Sequence, residues 1–288
     1  MSVKAKIPWQ AKIAAKLVLS RIPAGYSFWR RLTLFEHGPM DQPSYAYEVF
    51  KRHFDRVSFP RHSGGFTAVE LGPGDSLFSA MIARAFGASA SYLVDVGPFA
   101  RDDLEPYRAM AGFLMDNGLS APDMESINSL EELLAACGAR YKTSGLASLR
   151  AIPDESVDFV WSQAVLEHIR RAEFLDVMRE LRRVIRPDGA CSHRIDLKDH
   201  LGGALNNLRF PEHLWESDFM ANSGFYTNRI RYSEMLQLFY QLGFEVEMIA
   251  ANRWDSLPTP RDKLSASFKH LPEDELLISG FDVTLRPV

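Results

Sequence analysis

Histidine and aspartate side chains that could move a proton occur together in one short run, Cys191–His200. The run contains His193, Asp196 and His200, and a further histidine, His168, lies earlier in the chain. Histidine has a pKa near neutrality and can accept the proton of a hydroxyl group, and a nearby carboxylate can orient the ring and stabilise its charged form. We therefore predict these four residues as the candidate bases and orienting groups.

A structural role competes with this interpretation. A structural role is favoured for His193, which lies inside a predicted strand. For Asp196 and for His200, which could help cap a turn, the structural and catalytic roles are equally supported. His168 could likewise be a structural residue at a helix start. A metal held by His193, Asp196 and His200 has suitable ligand types, but strand geometry directs the first two to opposite faces. We predict no metal.

A glycine turn earlier in the chain could hold a ligand. Residues 68–76 read Ala-Val-Glu-Leu-Gly-Pro-Gly-Asp-Ser, which predicts a buried strand, a tight turn and a helix from Ser76 onward. Gly72 and Gly74 can take positive φ and carry no Cβ, so that the backbone can approach a ligand closely. This pattern favours a nucleoside-binding enzyme.

An acidic residue follows at the spacing that a nucleoside site requires. Ser91–Asp95 reads as a second apolar strand that ends in a carboxylate, and in doubly wound folds such a carboxylate binds ribose hydroxyls. Leu77 stands where a dinucleotide fingerprint has its third glycine. A nicotinamide cofactor is therefore disfavoured.

With two later segments, these residues resemble class I S-adenosylmethionine-dependent methyltransferases, of the methyltransferase type 11 kind. Asp158–His168 is similar to the family's fourth strand and the helix after it, and Leu181–Gly189 to the helix end and turn before the fifth strand. The resemblance extends over residues 66–197. It implies an α/β, Rossmann-like, doubly wound sheet of seven strands in the order 3-2-1-4-5-7-6, with the last strand antiparallel.

The resemblance also implies a cofactor, S-adenosyl-L-methionine, and residues that would hold it. Gly72 and Gly74 would pass beneath its methionine part, Asp95 would accept from the ribose hydroxyls, and Glu70 would support the turn or the amino group, or alternatively cap nearby amides. Backbone groups near Leu146 and Ala147 would replace the acidic adenine ligand of many relatives. The full predicted set is Glu70, Gly72, Pro73, Gly74, Asp75, Ser76, Asp95, Val96, Leu146, Ala147, Ser162 and Gln163.

The acceptor is predicted to be a hydroxyl group of a small molecule or sugar. Enzymes that methylate nucleobase amines often carry an Asp or Asn, two prolines and an aromatic residue after the fourth strand, and Ser162–Val165 lacks this pattern. Methyl transfer is an in-line displacement, so the enzyme mainly aligns the reactants and manages a proton. A non-catalytic scaffold or sensor that binds the cofactor is the alternative.

The sequence divides into an N-terminal basic and helical extension, residues 1–60, and a methyltransferase domain, residues 61–288. Residues 201–230, rich in aromatic side chains, are predicted to form a substrate lid in which Trp215 or Tyr226 could stack on a sugar. Two cysteines and no secretory signal favour the cytoplasm.

The formal net charge of −4 conceals an asymmetry, because the first 35 residues contain seven basic side chains and no acid. An acidic remainder disfavours nucleic acid as a partner. Trp9, Ile13 and Leu17 recur at helical spacing, which could give peripheral contact with the inner face of a membrane and a lipid-linked glycan as acceptor. Packing of this stripe on the chain's own domain is the favoured alternative, and a transit peptide is a third. The basic residues are Lys4, Lys6, Lys12, Lys16, Arg21, Arg30 and Arg31.

Overall fold

Seven strands form one sheet in the computed structural model, which describes residues 9–11, 13, 17, 39–60 and 63–288. The order is β3-β2-β1-β4-β5-β7-β6, and β7 runs antiparallel to both of its neighbours. The predicted fold class and strand order are therefore confirmed. The strands are β1 (Phe66–Leu71), β2 (Ala88–Val94), β3 (Ala139–Lys142), β4 (Val157–Gln163), β5 (Ile185–Asp196), β6 (Phe244–Arg253) and β7 (Ile278–Pro287).

Helices cover both faces of the sheet, which is why the central strands β1 and β4 are buried along most of their length. One face packs against α1, α2 and α3, and the other against α5, α6 and α9. The helices are α1 (Pro43–Asp55), α2 (Phe78–Ala85), α3 (Glu105–Asp116), α4 (Leu130–Ala136), α5 (Leu146–Arg150), α6 (Arg171–Val184), α7 (Glu212–Trp215), α8 (Asp218–Ala221), α9 (Tyr232–Gln241) and α10 (Glu273–Leu277).

Helix α1 lies within the predicted N-terminal extension but packs into the core of the domain. Ala46, Val49 and Phe50 are fully buried, and Phe50 contacts Phe159 and Trp161 of β4 edge to face. Their spacing of three and four residues places them on one side of the helix. His53 lies on the same side, so the helix also carries a polar group onto the sheet.

Strand β5 contains an interruption that the sequence predicted as a turn. Val157 of β4 pairs with Ile185, but Phe159 pairs with Ala190, so β5 has three extra residues between these pairs. The run Arg-Pro-Asp-Gly supplies them, since proline has no N–H to donate to the ladder. After this bulge the strand continues regularly to Asp196.

Residues 201–230 fold over a small core of their own, and the N-terminal stripe packs on it. Ile13 is buried in this core, with Trp9 and Leu17 at its border. The ring of Trp9 meets Phe210 edge to face at 6.1 Å, and the Arg209 guanidinium lies 5.2 Å from the Trp9 centroid. These residues thus follow the alternative of packing on the chain's own domain.

The seven basic residues of the first 35 positions lie outside the described residues. Within the part of the chain that the structure describes, no helix is long and apolar enough to cross a bilayer.

Candidate functional site

The glycine turn lies at the carboxyl end of β1, as predicted. Gly72 and Gly74 have φ of 65° and 68°, a region that glycine enters without a steric penalty. The Gly72 N–H donates to the Val94 carbonyl at 2.8 Å. A Cβ at Gly72 would lie 2.6 Å from Cγ2 of Val165, so the turn fits closely against the segment that follows β4.

Asp95 fixes this turn from the end of β2. Its Oδ2 accepts the Gly74 N–H at 3.0 Å and its Oδ1 accepts the Val96 N–H at 2.7 Å, and the residue is 9% exposed. An ionised carboxylate accepts hydrogen bonds and has about four lone-pair sites, which suits it to ligand hydroxyls as well as to backbone N–H groups. The position is the one from which the resemblance expects contact with a ribose.

Glu70 is buried beneath the turn, where its carboxyl group accepts the Ser79 hydroxyl. Burial raises its pKa to about 8, the Ser79 hydrogen bond opposes this, and the negative charge of Asp95 adds to it. The group is therefore mostly protonated at neutral pH. It faces helix α2, so the structure gives Glu70 a supporting contact with that helix.

Other predicted cofactor residues surround the turn. Pro73, Gly74 and Asp75 are buried, and the Arg101 N–H donates to the Asp75 carbonyl at 3.2 Å. Arg101 also pairs with Asp41 at 3.0 Å, which brings the segment before α1 to the same place. The Ser76 hydroxyl accepts the Phe78 N–H at 3.3 Å at the start of α2.

The turn before α5 borders the same space. Gly145 has a φ of 51°, and its N–H donates to the Asp95 carbonyl at 2.8 Å. Val96 is 79% exposed and lies against this glycine. The Ala147 N–H is already used by the Ser144 carbonyl at 3.1 Å, and Leu146 packs partly into the core. The adenine contacts of Leu146 and Ala147 therefore stay a prediction.

These residues fit a nucleoside-containing cofactor. Two glycines at positive φ leave space where side chains would stand, a carboxylate lies beside them, and an exposed valine offers an apolar surface to a planar ring. Within the described chain, S-adenosyl-L-methionine would be held by the glycine turn, Asp95, Val96 and the turn at Gly145.

Gln163, at the end of β4, is held by a histidine that the sequence analysis did not select. His53 of α1 is fully buried, with Nε2 3.0 Å from Gln163 Oε1 and Nδ1 2.8 Å from Ser192 Oγ. Burial lowers its pKa to about 4, so the ring is neutral and Nε2–H donates to the amide oxygen. Its helical spacing with Ala46, Val49 and Phe50 was the signal that could have found it.

Two predicted site residues face away from this space, which corrects their assignment. Ser162 and His193 are fully buried on the face covered by α6 and α9, and Ser162 Oγ lies 2.7 Å from His193 Nδ1. Burial lowers the pKa of His193 to about 3. His193 is thus packed in its strand, where it cannot exchange a proton with an acceptor, and the Ser162 side chain does not line the pocket.

His168 and His200 are both exposed and lie together beyond β4 and β5, with ring centroids 4.7 Å apart. His168 Nδ1 is 3.0 Å from the Tyr226 carbonyl. A carbonyl can only accept, so Nδ1 carries the proton and Nε2 is the basic nitrogen of the neutral ring. Asp196 accepts the Lys198 N–H at 2.9 Å and pairs with its ammonium at 3.4 Å.

The aromatic side chains of the lid do not form a sugar platform. Trp215 and Tyr226 are 0% and 4% exposed, and their rings stack on each other at 6.2 Å. Trp215 Nε1 donates to the Thr227 carbonyl at 2.7 Å, and the Tyr226 hydroxyl donates to Glu216 at 2.7 Å. The predicted stacking is therefore wrong, because the lid uses these rings for its own core.

Glu167 connects the lid to the sheet and was also not selected from the sequence. It is 2% exposed, Oε1 accepts the Asp196 N–H at 3.1 Å, and its carbonyl accepts the Asn228 N–H at 2.7 Å. Burial raises its pKa to about 8. The Asn228 amide donates to the Leu166 and Ile169 carbonyls at 2.8 and 3.0 Å. The loop that carries His168 is thus anchored to the lid.

Comparison with known proteins agrees with the fold. Residues 121–192 match the profile of a family described as a methyltransferase domain. The chain has the class I methyltransferase fold. The predicted resemblance to class I S-adenosylmethionine-dependent methyltransferases is thereby confirmed, through this match and the strand order. No curated protein matches the chain.

Several solved structures are similar at low identity. A methyltransferase from Methanosarcina mazei shares 15% identity over 79% of this chain and 94% of its own, with a TM-score of 0.45. One from Mesorhizobium loti shares 17% over 84% and 95%, with a TM-score of 0.43. Mitomycin 7-O-methyltransferase shares 16% over 99% and 70%, with a TM-score of 0.43. At these values the likenesses carry no argument about substrate.

Proposed function

We propose that the protein transfers a methyl group from S-adenosyl-L-methionine to a hydroxyl oxygen of a small molecule or sugar. The observation that carries the proposal is the glycine turn at the end of β1, which is fixed by the Asp95 carboxylate and packs closely against Val165 in the segment after β4. This edge of an open α/β sheet is where such folds bind their ligands. Bound there, the cofactor supplies the electrophilic methyl group.

The chain's own residues have two tasks in this proposal. The first is to hold and orient, because an in-line displacement depends on alignment. The bonds from Gly74 and Val96 keep the Asp95 carboxylate in one orientation, and His53 fixes the amide of Gln163 beside the turn. These contacts support a rigid site that needs little rearrangement when the cofactor binds.

The second task is to accept the proton of the acceptor hydroxyl. His168 and His200 are the candidates, because both are exposed at the carboxyl ends of β4 and β5. The Tyr226 carbonyl selects the tautomer of His168 in which Nε2 is basic, and so supports a role as base. Asp196 stays a candidate orienting group.

The acceptor is not proposed to be lipid-linked. Packing of Trp9 and Ile13 on the lid covers the apolar stripe that favoured membrane contact.

A methyl-transfer assay tests the proposal. S-adenosylhomocysteine release is measured with wild-type protein, the methyl donor and a panel of sugars and phenols, beside matched amines. Turnover with at least one hydroxyl acceptor and none with its amine counterpart is expected. Turnover with amines alone would contradict O-methylation, and cofactor binding without turnover on any acceptor would favour a scaffold or sensor.

A further inference from the structure

A cavity of about 350 Å³ lies between the lid and the segments that flank α9 and α10. Its walls combine apolar side chains, Phe268 and Leu271, with two buried arginines, Arg229 and Arg231. Its volume is within the range of small-molecule sites. The starts of α6 and α9 border it, so it opens at the same sheet edge as the predicted reaction site.

A second cavity, about 10 Å³ in volume, shares Arg229 and Arg231 with the first. Among the residues that line it, Glu167 Oε2, Asn207 Oδ1, Arg229 Nε and Arg231 Nε are buried, with no hydrogen-bond partner in the described chain. Buried polar atoms are nearly always partnered in native proteins. A group of such atoms around one space indicates that a polar molecule or group completes their bonding.

Arg229 is the most unusual of these residues. It has a φ of 58°, uncommon for a residue other than glycine, and is 5% exposed. Its guanidinium lies 5.4 Å from the Trp215 centroid and 5.2 Å from that of Phe268, and 3.7 Å from Glu216. Burial lowers its pKa to about 10, so it remains cationic at neutral pH. Strained backbone at a buried charge is typical of functional positions.

Arg231 completes a pair of cations on this wall. Its terminal nitrogens donate to backbone carbonyls, among them Leu197 at 3.1 Å and Ile278 at 2.7 Å, which leaves Nε–H. Burial lowers its pKa to about 10, so it too stays cationic. Ile230 between the two arginines points into the core of the other face. Arg229 and Arg231 thus present two unused donors.

The acidic side chains that line the larger cavity already have partners. Glu234 and Glu212 both pair with Arg171, Glu212 at 3.9 Å. Glu275 accepts both the backbone N–H and the hydroxyl of Ser233. The groups that remain for a ligand are therefore mainly the N–H donors of the two arginines, beside apolar side chains. Hydrogen bonds from arginine to an oxyanion are the strong kind that such donors make.

We propose that the larger cavity, of about 350 Å³, binds an anionic group of the acceptor molecule, a carboxylate or a phosphate, between Arg229 and Arg231, with the acceptor's ring against Phe268 and Leu271. The inference rests on the proposed function for the identity of the ligand as acceptor. The binding site itself does not depend on it. With the acceptor bound in this cavity, the methylated molecule is an anionic hydroxyl compound rather than a neutral one.

The test is calorimetric titration of the wild-type protein with phenyl phosphate, benzoate and benzyl alcohol, which share a ring and differ in charge. At least one anion is expected to bind tenfold or more tightly than the alcohol, and the stronger anion distinguishes phosphate from carboxylate. Equal affinity for all three, or no binding of either anion, would overturn the proposal. This comparison needs no variant.

The variant Arg229→Met then tests the role of Arg229 in anion binding. Arg140→Met is the control, because it removes the same charge from β3, outside the lining of the cavity. The Arg229→Met protein is expected to bind the anion about tenfold to a hundredfold more weakly, and the control to bind it like wild type. Unchanged anion affinity in Arg229→Met would contradict the site. Parallel titration with S-adenosylhomocysteine separates the two proposals: anion binding without cofactor binding refutes the function alone, and the reverse refutes the cavity alone.

Discussion

The substitution Glu70→Gln should change how stability depends on pH. The pKa of Glu70 is raised to about 8 by burial, against 4.5 for an ordinary glutamate. The folded state therefore retains a proton that the unfolded state releases above pH 4.5, and folding stability from this group is fully present below pH 4.5 and lost as pH rises to 8. Glutamine titrates in neither state, so the variant lacks this loss.

The magnitude follows from the pKa difference. One unit corresponds to about 1.4 kcal/mol, so a rise in the pKa from 4.5 to about 8 amounts to about 5 kcal/mol. The free energy of unfolding of Glu70→Gln, minus that of wild type, should thus increase by about 1.4 kcal/mol per pH unit between pH 5 and 8. Urea denaturation at pH 5, 6, 7 and 8 measures it. The buried Glu167, His53 and His193 titrate alike in both proteins and cancel in the difference.

Glu245→Gln is the matched control, because Glu245 is exposed on the edge strand β6. Its difference from wild type should be nearly independent of pH. If the free energy of unfolding of Glu70→Gln minus that of wild type is constant between pH 5 and 8, or falls with pH, burial does not hold Glu70 in its protonated form.

Three further substitutions test the site. Gly72→Ala should destabilise the protein by about 1–3 kcal/mol more than Gly118→Ala. Both glycines have φ near 70°, but only at Gly72 would the added Cβ clash with a neighbouring side chain. Equal losses of stability in thermal denaturation would contradict the close fit. His53→Leu leaves the partly buried Gln163 amide oxygen without its donor. The variant should lose about 1–3 kcal/mol of unfolding free energy in urea denaturation and bind the cofactor more weakly; unchanged values for both would remove the positioning role of His53. His200→Ala should leave cofactor affinity unchanged and slow transfer by about a hundredfold or more; unchanged turnover would exclude it as base.

The fold could be predicted largely from the sequence because its determinants are local. Buried runs such as Val157–Gln163 and the glycines at 72 and 74 constrain their own backbone whatever the rest of the chain does. The bulge at residues 186–189 followed in the same way from proline and glycine. Ser129 at the start of α4 accepts the Glu132 N–H, a capping contact that is equally local.

The side-chain partners of the site could not be predicted in this way. His53 reaches Gln163 and Ser192 across more than a hundred residues of chain, and only the packing of α1 on the sheet brings them together. Trp215 is rich in surface that could bind a sugar, but the lid is large enough to need a core and buries it. Arg229 gives no periodic signal, because its proposed binding role depends on a cavity formed by four separate segments.

The central claim is that the turn at Gly72 and Gly74, with Asp95, forms a cofactor site. Calorimetric titration of wild type and Asp95→Ala with S-adenosylmethionine and S-adenosylhomocysteine tests it most directly. We expect micromolar binding to wild type, about −8 kcal/mol, and its loss in the variant, which removes the carboxylate and its bonds to Gly74 and Val96. Wild-type protein that binds neither compound, or a variant that binds both as tightly as wild type, would contradict the account.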